Sequence, residues 1–145
     1  MRRHRLPAEK GQTLVEFALI LPIFILLLVG ILDLGRAVYS YNTISNASRE
    51  AVRVGIVDQN FTVVESEAIQ HAVSLGLTPA DVDITFRQPN GSSLVCVTPV
   101  AIACDVEVVV RYHYTAATPI IGNLVGVIDM SSTSRQPVER SYETP

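Results

Sequence analysis

The sequence predicts an α+β protein: one long N-terminal helix packed on a small antiparallel sheet of three or four strands. Three observations carry this. Phe17 to Leu32 contains no charged side chain. From Asp33 to Val57 there is no proline, and apolar residues recur every three or four positions, so the helix continues in amphipathic form. Beyond Pro79, apolar and polar residues alternate with the period of half-buried strands.

The first half of the helix fits a membrane. A span needs about 20 mostly apolar residues to cross a hydrocarbon core of about 30 Å. Phe17 to Leu32 covers about 24 Å at the helical rise, and Leu14, Val15 and Leu34 lengthen it. Glu16 and Asp33 then fall near the two interfaces. A helix so bulky and apolar all round does not suit the core of so small a globular protein. Pro22 is tolerable in a span, where it often produces a kink. Arg2, Arg3, Arg5 and Lys10 precede the span, opposed only by Glu9. Positive residues stay on the cytoplasmic side, which places the N-terminus inside and the C-terminal part outside. A secretory signal peptide fits less well: Asp33, Leu34 and Arg36 stand where its small-x-small cleavage site belongs.

Glu16 needs a reason. An ionised carboxylate at the edge of hydrocarbon is costly unless hydrated or paired. It can reach back to the headgroups, with Lys10 in range. Alternatively, a cut after Gly11 makes Gln12 the first residue. Its ammonium then lies one helical turn from Glu16, on the same face. That pair, within one helix or between neighbours, satisfies both charges and fixes the axial register of packed helices.

Gly11-Gln-Thr-Leu-Val-Glu16-Phe17-Ala, with Asp33-Leu-Gly35-Arg36 and Ala47-Ser-Arg49-Glu50-Ala51-Val-Arg53 further on, resembles the TadE-like pseudopilins of the Tad (tight adherence, Flp) pilus systems of bacteria and archaea. The resemblance is good over about the first 55 residues and only general beyond. It implies a pilin-like fold and a minor pseudopilin acting in pilus assembly or initiation and in adhesion. It implies processing by a prepilin peptidase between Gly11 and Gln12, with Glu16 used in recognition or subunit insertion. The implied partners are that peptidase, other Tad pilins and pseudopilins, the inner-membrane assembly platform and membrane lipid. The implied location is the cytoplasmic membrane of a prokaryote, single-pass, or the pilus itself. The corresponding division is a basic leader at 1–11, a membrane helix at 12–35, its continuation at 36–57 and an outer α+β domain at 58–145.

The formal charge of the 145-residue chain is −3. Loss of residues 1–11 leaves 7 basic and 13 acidic side chains, a balance of −6. Together with the absence of tryptophan, this argues against nucleic acid as a partner. Cys96 and Cys104 are the only cysteines. An outer location favours a disulfide between them, contributing about 2–3 kcal/mol. Two free thiols are the alternative in a reducing compartment. A metal site is not expected from two thiols without a CxxC motif or a nearby histidine pair.

In the second half of the helix, Leu34, Val38, Tyr41, Ile44, Ala47 or Ser48, Ala51 and Val54 form the expected buried stripe. The small residues Ser45, Ala47, Ser48 and Ala51 allow a sheet to approach. Asn42 to Asn46 is where a break would fall. Arg49, Glu50 and Arg53 suit a solvated face better than a partner-binding patch. Asp58 to Asn60 links to a second helix, with Thr62-x-x-Glu65 as its capping box, an apolar face of Val64, Ala68, Ala72 and Leu75, and an end near Gly76 and Pro79. His71 belongs on its surface.

Strands follow at Val82 to Arg87, Ser93 to Thr98 and Asp105 to Tyr114, with Pro89-Asn90-Gly91 as a turn. Ile120 to Val125 forms a short helical or interface segment, Val127 to Ser134 a last strand, and Arg135 to Pro145 a frayed end. No catalytic motif, cofactor fingerprint or metal-ligand spacing occurs, and the histidines are scattered. Two functions remain: an assembly component of a filament, or a membrane-anchored outer binding domain that joins no filament.

Overall fold

A computed structural model describes residues 9–89, 96 and 104–139. Helix α1 (Glu9–Gly55) runs for 47 residues, about 70 Å at the helical rise. It continues through Asn42 to Asn46, the stretch where a break would have fallen, as the single helix expected from the sequence. The hydroxyls nearby are accommodated within the helix. Ser40 Oγ donates to the carbonyl of Arg36 at 3.0 Å and Thr43 Oγ1 to that of Tyr39 at 2.8 Å. They bond to carbonyls the helix already presents and offer the backbone no competing turn.

After α1, Asp58 Oδ1 accepts from the Asn60 amide at 2.9 Å and α2 (Phe61–His71) begins. Its cap is Asn60, whose side chain accepts from the Thr62 amide at 3.1 Å. The expected Thr62–Glu65 box is displaced because asparagine caps at least as well as threonine and stands earlier in the chain. Helix α2 ends at His71, which sits on the surface 3.1 Å from Glu67. A 3-10 turn, Val73–Leu75, then closes on Gly76 at φ +65°. A second turn, Pro79–Asp81, leads into the sheet.

The sheet is antiparallel, in the order β1 (Val82–Arg87), β2 (Asp105–Thr115), β3 (Val127–Pro137). Phe86 pairs with Val106 and Tyr114 with Ile128. Alternation along β2 sends Val106, Val108, Val110 and Tyr114 into the core. On the opposite face Arg87 pairs with Glu107, Arg111 with Asp83, His113 with Asp129 and Arg135 with Asp105. The sheet is thus oily on one side and ionic on the other.

Helices α1 and α2 cover the oily side. Val64, Ala68 and Ala72 of α2 and its following residue are fully buried, and Phe61 meets Phe86 edge-on at 5.5 Å. The stripe of α1 that meets the sheet differs from the one expected. Leu34, Val38 and Tyr41 are exposed, whereas Asp33, Ser40, Ile44, Ala47, Ser48, Ala51 and Val52 are buried. The sheet comes so close that small residues serve it best. A Cβ on Gly55 would lie 2.9 Å from Val106 Cγ2. Ser48 Oγ is 3.1 Å from Ser132 Oγ and 2.9 Å from Ser134 Oγ.

The end expected to fray from Arg135 is held through residue 139. Pairing with β2 continues to Pro137. The Val138 amide donates to Cys104 at 2.8 Å, and the Glu139 amide to Ile56 at 3.1 Å. Val138 fills the core as an apolar side chain should. The strand expected at Ser93 to Thr98, the turn at Asn90-Gly91 and the last six residues lie outside the described residues, save Cys96.

Candidate functional site

Two features of α1 stand apart from its packing: an apolar rod at its N-terminal half and a polar junction where that rod meets the sheet domain. Every residue from Gly11 to Leu28 is exposed. The rod has a mean hydropathy of 2.8 over its best 18 residues and makes a candidate membrane span. Among the described residues no core covers this stretch, and an exposed apolar surface of this extent marks contact with lipid or with other protein.

Gly11, Gln12 and Glu16 all lie on this rod, in helical geometry and exposed. Gln12 and Glu16 share one face, four residues apart. Among the described residues no ion pair reaches Glu16. Gly11 has nothing within 4 Å of a built Cβ. Cys96 and Cys104 lie far along the chain and form a disulfide with a Cα–Cα separation of 6.5 Å. It ties the start of β2 to the segment that the Cys96 amide joins to Phe86, at 2.8 Å. Among the described residues no three acidic, histidine or cysteine side chains converge to hold a metal ion.

The polar junction centres on Asp33, only 5% exposed. One carboxylate oxygen accepts from the Ala117 amide at 3.1 Å. The other accepts from the Thr118 amide at 3.3 Å and from the Thr118 hydroxyl. The Asp33 carbonyl accepts from Tyr114 Oη at 2.8 Å. Burial raises the pKa of the Tyr114 phenol, and the charge of Asp33 adds to the rise, so the phenol stays protonated and donates. This clamp fixes the start of a short helix, α3 (Pro119–Val125), against the rod. Between them lies an apolar cleft of about 500 Å³, walled by Leu21, Pro22, Ile25, Leu26 and Val29 on one side and Pro119 and Ile121 on the other.

The sequence places Asp33 at an interface but does not reveal its partners, which lie 81 to 85 residues away. The usable signal was chemical: an acid at the end of an apolar helix requires donors.

The model of a family described as TadE-like protein matches residues 11–53. The match starts at Gly11, ends in the last turn of α1 and includes none of the sheet. No curated protein and no solved structure matches the chain.

Proposed function

We propose that the chain is a minor pseudopilin of a Tad pilus, cut after Gly11 by a prepilin peptidase and acting in pilus assembly, initiation or adhesion. The single observation that carries this is the TadE-like match over residues 11–53, which begins at the glycine before the proposed cut. The exposed apolar rod supports it, because such a rod has two natural surroundings: lipid, or a bundle of similar rods.

The mechanism is packing rather than catalysis. In the membrane the rod is solvated by acyl chains, with the sheet outside. On assembly it leaves lipid and packs against other rods. The ammonium of a processed Gln12 and the carboxylate of Glu16 then pair and set how far each rod slides past its neighbour. The outer domain travels with α1, because Ile44, Ala47 and Ala51 are part of its core.

The mass of the N-terminal peptide tests this in protein extracted from its host's membranes. A chain beginning at Gln12 is expected, and Gly11→Leu should leave residues 1–11 attached. A wild-type chain that retains Met1 to Gly11 beside an active peptidase would overturn the proposal.

A further inference from the structure

We propose that α3 and the residues after it, as far as Ile128, form a second membrane-contacting element, seated among the acyl chains of the leaflet beneath the sheet. The inference rests on the reading of the first half of α1 as a membrane span.

Position is the first argument. Ile121 Cδ1 lies 3.7 Å from where a Cβ on Gly30 would stand. Gly30 is about 4.5 Å further into the span than Asp33 at the helical rise. Pro119 and Ile121 also face Leu21, Pro22, Ile25 and Val29 across the apolar cleft. If those residues lie in hydrocarbon, α3 lies beside them.

Composition is the second. No charged residue occurs between Thr115 and Ile128. Leu124 is 85% exposed, and Val125, Val127 and Ile128 are exposed beside it. This apolar patch is continuous with the rod and has the same solvent requirement.

Backbone satisfaction is the third and does not depend on which side chains α3 exposes. Backbone at membrane depth must find its hydrogen-bond partners within the protein. At the entrance to α3 the Ala117 and Thr118 amides are taken by Asp33. The Gly122 amide donates to Thr118 at 2.8 Å and the Gly126 amide to Gly122 at 2.9 Å. Asp33 thus supplies from inside the protein what water would supply outside the membrane.

The chain lacks tryptophan, so single-tryptophan variants can report depth. Ile25→Trp, Leu124→Trp, Val127→Trp and Val57→Trp occupy exposed positions, where the larger side chain displaces no core packing. Each full-length variant is placed one copy per lipid nanodisc. Its emission is measured with brominated acyl chains in the disc and, separately, with iodide in the buffer. The Ile25, Leu124 and Val127 probes should lose most of their emission to bromine and little to iodide, and the Val57 probe the reverse. If the Leu124 and Val127 probes follow the Val57 probe while the Ile25 probe is quenched by bromine, α3 lies in water: the inference fails and the span stands. If the Ile25 probe also escapes bromine, both fail. Protection of the Leu124 and Val127 probes from both quenchers would mean that another part of the same chain covers the face, and would equally overturn the inference.

Discussion

Asp33 shows how much one side chain organises. Its carboxylate gathers two amides and a hydroxyl, and its carbonyl takes the Tyr114 phenol. Asp33→Ala leaves the Ala117 and Thr118 amides and the Thr118 hydroxyl without acceptors in a poorly hydrated place, at a cost of about 1–3 kcal/mol, while the backbone carbonyl still takes the Tyr114 phenol. The damage should be local. In hydrogen exchange, the Ala117 and Thr118 amides should lose protection while those of Val108 and Val110 in the sheet keep theirs. Uniform loss of protection would show that Asp33 holds the whole domain rather than α3. A second acid acts at the entry to β1. Asp81 Oδ2 accepts from the Thr78 amide at 2.8 Å and its hydroxyl at 2.7 Å. These bonds, the amide first, lower its pKa from the ordinary 3.8. In the folded protein the carboxylate is therefore harder to protonate than in the unfolded chain. Its contribution is complete above pH 3.8 and disappears as the pH falls through the lower folded value. Asp81→Ala should cost about 0.5–2 kcal/mol near neutral pH, as other caps do. The gap in urea midpoint between it and wild type should close in acid. A gap that stays constant below the folded pKa would assign the loss to packing instead.

At the scale of elements, β1 and β2 were legible in advance because alternation is a local signal. Val82, Phe86, Val106, Val108 and Val110 turn inward as their spacing requires. The inner stripe of α1 was harder to read. Counting large apolar residues selects Leu34, Val38 and Tyr41, which the structure leaves exposed. The sheet instead accepts alanine, serine and glycine, since close approach matters more there than side-chain area. Sequence reveals small residues but not which side of the helix a distant strand will occupy. The start of α2 was misplaced for a related reason: two adjacent segments could each supply a cap, and Asn60 prevailed. The tightness of the α1–β2 contact is testable at Gly55. Its missing Cβ would meet Val106 Cγ2 at 2.9 Å, inside normal contact. Gly55→Ala should gain helix propensity yet lose about 1–3 kcal/mol to overpacking. A lower melting temperature in micelles supports this, and partial recovery in Gly55→Ala with Val106→Ala would identify the contact as the cause. Stabilisation by Gly55→Ala alone would show that the sheet can shift at no cost.

The whole molecule is a rod and a domain that share one helix, yet their sequences report different things. The rod was visible from composition and charge alone. The clamp at Asp33 was not, because it closes over more than 80 residues of chain. The outer ion pairs are mostly solvated and each contributes at most about 1 kcal/mol, so the domain's stability rests on the oily face against α1 and α2. Glu16 contributes nothing there. It stands 17 residues before Asp33, about 26 Å along the axis at the helical rise, with no ion-pair partner among the described residues. If the rod spans a membrane, a carboxylate at the rim of hydrocarbon is a cost to a lone subunit unless it is hydrated or paired. It becomes an asset only where another charge can reach it. Glu16→Ala should therefore leave melting and sheet exchange unchanged while lowering the amount of this chain recovered in sheared pili. Glu16→Gln should behave like Glu16→Ala, since it keeps the shape and removes the charge. Recovery of both variants at the wild-type level would show that helix register is set by packing of the oily side chains alone.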